Sequence, residues 1–178
     1  MFGQHDWTQF ALGFNDSACA TTSIVNMVST QYTESTGEKL SFDQAQNAIQ
    51  EAINNGSVAG NDATVNNWTK AANTMAQSVG LTGTFTDYTE DATKSRDYTI
   101  LAYTSTDNLD KAEHFVLVTG QVPGNAGNAI KALEVFNPDS AQEEYWVSDA
   151  VGITADKPAK FRPLQSGRET RQFNYEEQ

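Results

Sequence analysis

The hydrophobic period of this 178-residue chain changes once, after Gly80, and this change constrains the fold more than any other feature. Before Gly80, apolar residues recur at the spacing of a buried helix face, whereas alternating and β-branched runs follow it. Helices first and antiparallel strands afterwards are typical of the α+β class. We therefore predict a single α+β domain over residues 1–165, with a helical part (1–80), a sheet part (81–165) and a loose polar tail (166–178).

Two helices of the first part carry recognisable end signals. In "SFDQAQNAIQEAINNG", Ser41 and Gln44 have the spacing of a capping box. In "NDATVNNWTKAANTMAQSVG", Asn61 or Asp62 is expected to cap the start, and Gly80 to end the helix. A further helix is expected to begin at the cysteine discussed below.

The sheet part contains four clear strand patterns and one shorter candidate. The hydrophilic stretch "PGNAGN", residues 123–128, is typical of a hairpin loop between two of these strands. The stretch "EEYWVSD" can add a short strand. The four clear patterns are "LTGTFTDY", "DYTILAYT", "EHFVLVTGQV" and "IKALEVFNP".

Net charge limits the partners of the protein. A charge of −12 disfavours binding to nucleic acid and to anionic membranes, and we find no apolar stretch long enough for membrane insertion. The first residues, "MFGQHDWTQF", lack the basic and apolar regions of a signal peptide. The sequence as written is therefore expected to be cytoplasmic, or secreted if it is a domain excised from a larger exported protein.

The only cysteine, Cys19, lies where small polar residues give way to a helical pattern, "NDSACATTSIVNMVS". Ser17 or Asp16 is expected to cap this helix. Unpaired N–H groups at a helix start favour the thiolate, so the pKa of Cys19 is predicted to be lowered. Iodoacetamide is then expected to label it well below about pH 8. The alternative is a small buried residue that packs as a hydrophobe.

A catalytic cysteine needs a base and a group that orients the base. Of the two histidines, His5 is expected to be solvated, and His114 opens the strong strand pattern "HFVLVTG". Asn137 and Asp139 follow the next strand, in "VFNPDS". Antiparallel pairing would bring the start of the first strand near the end of the second. The alternatives are a surface histidine at a strand end and a turn residue before proline.

These motifs, taken in order, resemble a known family. The segments "CATTSIVNMV", "HFVLVTG" and "VFNP" are similar to those of the double-glycine (bacteriocin) leader peptidases and related papain-like bacterial cysteine peptidases, over roughly residues 7–150. The resemblance implies a papain-like fold, with a helical lobe packed on an antiparallel sheet. It also implies Cys19 as nucleophile, His114 as base and acid, and Asn137 as the orienting residue, with Asp139 as the alternative.

The resemblance further implies an amide side chain that binds the oxyanion, for which Gln9 is the first candidate and Asn15 the second. The protein is thus expected to be a cysteine peptidase or amidase acting on a peptide or protein through a thioester. Ala20 departs from the family, which usually has glycine or a larger polar residue there. The alternatives are a weakly active or inactive binding module in a larger assembly, and a transglutaminase-like acyl transferase.

No cofactor is expected, because no glycine-rich phosphate loop follows a strand. No metal site is expected either, since two distant histidines and one cysteine make a poor ligand set. Trp7 and Trp146 are candidates for the wall of a substrate groove. The oligomeric state is left open.

Overall fold

The structure, a computed structural model, is a mixed α+β fold in which helices precede a sheet of seven described strands. It describes residues 1–88, 96–103, 114–123, 130–147, 161–163 and 170–177. A 3₁₀ helix spans Gln4–Asp6, and the α-helices are α1 (Phe14–Ser17), α2 (Cys19–Thr36), α3 (Phe42–Asn54) and α4 (Trp68–Ser78). The strands are β1 (Thr84–Asp87), β2 (Tyr98–Tyr103), β3 (His114–Pro123), β4 (Ile130–Asn137), β5 (Gln142–Val147), β6 (Phe161–Pro163) and β7 (Arg171–Glu176).

Local capping explains where α3 and α4 begin. The predicted capping box of α3 is confirmed, because Ser41 and Gln44 each bond the other's backbone N–H. The predicted start of α4 at residue 61 or 62 is wrong, since the capping side chain is that of Asn67. Asp62 instead accepts a hydrogen bond from the N–H of Thr64 two residues on, which stabilises a turn.

Helix α2 is the central helix of the fold. All residues from 20 to 29 are buried, including several polar ones, so this helix has no solvent-facing side along that stretch. Its buried polar groups have partners: Asn26 exchanges two hydrogen bonds with the backbone of Phe2, and Thr21 donates to the carbonyl of Ala63. The helix packs against β3, which places its first residue near the start of that strand.

The described strands form one sheet in the order β1-β7-β2-β3-β4-β5-β6. Neighbouring strands are antiparallel except β5 and β6, which are parallel. Strands β3 and β4 pair as the sequence predicts, but their loop "PGNAGN" lies mostly outside the described residues, which resume at Ile130.

The prediction of a loose tail is wrong. Residues 171–176 form β7, which lies between β1 and β2 and hydrogen-bonds to both. Phe173 is fully buried and Tyr175 is partly buried, as expected for alternating side chains on a half-buried strand. The C-terminal segment is therefore part of the sheet. No helix in the part of the chain described here is long and apolar enough to cross a membrane.

Candidate active site

Cys19 is the first residue of α2, as predicted, but the predicted caps are not used. The residue in the capping position is Ala18, which has no side-chain hydrogen bond to offer, and the short helix α1 ends just before it at Ser17. The first N–H groups of α2 therefore remain available to the thiol. The backbone N–H groups of Cys19 and Ala20 both lower the pKa of the thiol.

The start of α2 lies against the start of β3. One turn after Cys19, the hydroxyl of Ser23 donates to the carbonyl oxygen of Phe115, next to His114 in β3, at 3.3 Å. This hydrogen bond holds the start of the helix against the start of the strand. The backbone N–H of Phe115 also lowers the pKa of the Cys19 thiol.

The predicted direction of the Cys19 pKa is wrong. Burial raises the pKa of the thiol above its ordinary value, and the negative charge of Asp139 acts in the same direction. The N–H groups of Phe115, Ala20 and Cys19 itself lower the pKa, but desolvation is the larger effect. Burial therefore favours the thiol form of Cys19 over the thiolate.

The structure brings His114 and Asn137 together across the β3–β4 pair. Nε2 of His114 lies 2.6 Å from Oδ1 of Asn137. The pairing of Leu117 with Phe136 sets the register that brings these two strand ends side by side. Asn137 is fully buried, whereas His114 is half-buried.

The contacts of Asn137 fix the orientation of its amide. Its Oδ1 accepts a second hydrogen bond from the backbone N–H of Asp139 at 3.0 Å, and its Nδ2 donates to Oε2 of Glu144 at 2.9 Å. A backbone N–H can only donate, so the atom facing it and His114 is the amide oxygen. His114 must then donate from Nε2, and in the neutral ring the lone pair is on Nδ1.

Asp139, the alternative orienting residue, contacts the other histidine. Its carboxylate lies 2.8 Å from Nε2 of His5, and both side chains are more than half exposed. The position that orients His114 is therefore occupied by Asn137. The expectation that His5 is exposed agrees with the structure, although its ring has this carboxylate as a hydrogen-bond partner.

Sequence reasoning missed a buried amide side chain, Gln4, that connects the two halves of the site. Its backbone N–H donates to the carbonyl of Pro138, and its Nε2 donates to the carbonyls of Asn15 and Asp16. Its Oε1 is buried and accepts no hydrogen bond within the described part of the chain.

The glycine before Gln4 is the sequence feature that could have indicated this contact. A Cβ at Gly3 would lie 2.8 Å from the Cβ of Ala141, so only glycine permits this close approach to the turn after β4.

The two candidate oxyanion residues lie in different surroundings. The side chain of Gln9 is exposed and hydrogen-bonded to Gln46 of α3, so it is engaged away from the first turn of α2. Asn15 is half-buried, four residues before Cys19, and its Oδ1 has no hydrogen-bond partner among the described residues. Because the side chain of Gln9 is engaged with α3, Asn15 is the better candidate of the two.

The structure tests only one of the two tryptophans that were proposed to line a groove. Trp7 is buried in the core, stacks on Phe42 at a centroid distance of 5.6 Å, and donates its indole N–H to Thr22. The prediction that it lines a groove is therefore wrong. The side chain of Trp146 lies outside the described part of the structure.

Within the described residues, no three His, Cys, Asp or Glu side chains are grouped as metal ligands would be. Comparison with protein-family models, curated proteins and solved structures finds no match to this chain.

Proposed function

We propose that the protein is a papain-like cysteine peptidase or amidase that cleaves peptide amides with Cys19, His114 and Asn137. One observation carries the proposal. Ser23, one turn after Cys19 in α2, donates to the carbonyl oxygen of Phe115, the residue after His114, at 3.3 Å, and Nε2 of His114 lies 2.6 Å from Oδ1 of Asn137. The starts of α2 and β3 and the end of β4 therefore converge where cysteine hydrolysis needs nucleophile, base and orienting amide.

The protonation state of the site determines the first step. Because burial favours the thiol form of Cys19, its proton passes to Nδ1 of His114 as sulfur attacks the substrate carbonyl. The S–C bond forms, and the carbonyl oxygen becomes an oxyanion. Asn137 accepts from Nε2 throughout and stabilises the imidazolium that results.

The second half of the reaction returns the proton. His114 protonates the leaving amine, the C–N bond breaks, and a thioester on Cys19 remains. Water then attacks the thioester, His114 takes its proton, and the carboxylic acid and the thiol are released.

The oxyanion needs hydrogen-bond donors near the sulfur. The backbone N–H of Cys19 is one candidate, because it belongs to the first residue of α2, where the N–H groups have no partner within the helix. The side-chain amide of Asn15 is the second candidate, since Asn15 is half-buried four residues before Cys19 and its Nδ2 can donate.

A peptide-library hydrolysis assay tests the proposal. We expect peptidyl-amide cleavage that Cys19→Ala abolishes and His114→Ala reduces by at least about 100-fold. Mass spectrometry after rapid quenching should find the substrate acyl group on Cys19, the only thiol in the chain. His5→Ala is the matched control, because it removes the other histidine from an exposed pair and should leave the rate nearly unchanged.

A binding module is the second candidate, and the raised pKa of Cys19 favours it. A thiol held protonated by burial is a weak nucleophile unless His114 accepts its proton. Ala20, where the resembling family usually has glycine or a larger polar residue, points the same way. Absence of any acyl adduct, together with stoichiometric binding of peptides that are never cleaved, would favour this second function.

A further inference from the structure

Glu144 is a fully buried acidic residue that the proposed mechanism does not yet use. It lies on β5 opposite Val135 of β4, and side chains alternate along a strand, so Glu144 and Asn137 lie on the same face of the sheet. Burying a carboxyl group is costly unless donors satisfy it. Two donors do so here: Nδ2 of Asn137 at 2.9 Å and the hydroxyl of Ser140 at 2.7 Å, both to Oε2.

These contacts form a continuous hydrogen-bonded chain behind the histidine. His114 donates to Asn137, Asn137 donates to Glu144, and Ser140 donates to the same carboxylate oxygen. In such a chain each bond polarises the next, because an amide that donates strongly from nitrogen becomes a better acceptor at oxygen. The 2.6 Å bond to His114 is the last link of this chain.

We propose that Glu144 is a positioning residue for His114 that acts through Asn137. Its carboxylate holds the Asn137 amide with the oxygen toward the imidazole and strengthens that oxygen as an acceptor. Asn137 and Glu144 together thus perform the role that a single aspartate performs in a Cys-His-Asp triad. The effect on hydrolysis rests on the proposed function, whereas the effect on the His114 hydrogen bond does not.

The pair also explains why residue 137 is asparagine. An aspartate there would place a carboxylate oxygen where Nδ2 now lies, 2.9 Å from Oε2 of Glu144. Two carboxylates at that separation repel each other, so they cannot both be ionised in a buried site without penalty. The chain therefore needs an amide between the imidazole and the buried acid.

NMR of the His114 ring proton tests the inference directly. In a His5→Ala background His114 is the only histidine, and its Hε2 resonance should be far downfield and slow to exchange with water. Glu144→Met removes the acceptor at similar volume, so the resonance should move upfield and exchange about tenfold faster or more. Glu144→Gln keeps an acceptor oxygen and should preserve both properties.

A rescue experiment separates positioning from a merely structural role. Asn137→Asp should lower kcat by about 10- to 100-fold, the range in which hydrogen-bond partners behind a functional histidine act. Adding Glu144→Gln to this variant should raise kcat again by at least about tenfold, because the new amide can donate to the new carboxylate. KM should change less than kcat in both variants.

The outcomes are distinct. An unchanged Hε2 resonance in Glu144→Met, or a double variant with the same His114 spectrum as Asn137→Asp alone, would overturn the inference. If the wild-type protein has no Cys19-dependent hydrolysis, the proposed function fails, and the spectra of the four variants still decide the role of Glu144. If Glu144→Met does not fold, the role of Glu144 is decided by comparing Asn137→Asp with the double variant that also carries Glu144→Gln.

Discussion

Replacing Phe173 with alanine tests whether the C-terminal segment is a structural part of the sheet. Phe173 is fully buried in the main core, and its ring meets that of Phe85 edge-on at a centroid distance of 6.4 Å. Removing a buried phenylalanine ring costs about 3–5 kcal/mol, from lost transfer free energy and the cavity that remains. This is a large part of the roughly 5–15 kcal/mol by which a domain is stable. A loose tail would give a change near zero.

Urea unfolding followed by circular dichroism measures this change. For a chain of this length, about 3–5 kcal/mol corresponds to a fall in Tm of roughly 6–20 °C. Gln172→Ala is the matched control, because this neighbour points to the opposite face and should alter stability by less than about 0.5 kcal/mol. A loss below about 1 kcal/mol for Phe173→Ala, or equal losses for both variants, would refute the placement of β7 in the core.

Three further predictions concern single contacts. Ser41→Ala removes the α3 cap that bonds Gln44 and should lower the free energy of unfolding by about 1 kcal/mol, measured in urea without a change in m-value. Asn73→Ala removes the side chain that bonds both the N–H and the carbonyl of Phe85 on the edge strand β1. Amide hydrogen exchange at Phe85 should then accelerate; an unchanged rate would contradict the contact. Alkylation of Cys19 by iodoacetamide should rise with pH through a midpoint above that of the unfolded chain, because burial raises its pKa; a lower midpoint would contradict this.

The helices were largely readable from sequence because their signals are local. The Ser41 capping box contains both partners within one turn, so it needs no tertiary information. The start of α4 was misread because Asp62 and Asn67 are equally good caps in isolation. Which one is used depends on the turn at Thr64 and on the bridge between Val58 and Val65, which the helical period alone does not report.

The last strand could not be read in the same way. The segment "RQFNYE" alternates, but it is short and polar, and its two partners lie far back along the chain in β1 and β2. Nothing local distinguishes such a strand from a solvated tail. Burial of Phe173 against Phe85 depends on long-range packing, which the hydrophobic period alone does not report.

The part of the candidate site that depends only on the order of the strands could be predicted. His114 and Asn137 meet because antiparallel strands joined in succession bring the start of one near the end of the next. Gln4 and Glu144 were missed because the contacts of both depend on the folded shape of one turn, which the sequence does not reveal. The turn after β4 brings Pro138 to Gln4 and Ser140 to Glu144.

The pKa of Cys19 shows how burial can reverse a local rule. A helix start favours the thiolate, and three backbone N–H groups do act in that direction, but desolvation of the half-buried Cys19 outweighs them. Because the folded pKa is raised, this group's contribution to stability is complete below the ordinary thiol pKa and is lost as pH rises through the folded value. Under the proposed mechanism, the proton then leaves sulfur only when His114 can accept it. Under that mechanism we expect the rate of hydrolysis to depend on how firmly Asn137 holds the imidazole, so the hydrogen-bonded chain behind His114 would take part in activating Cys19.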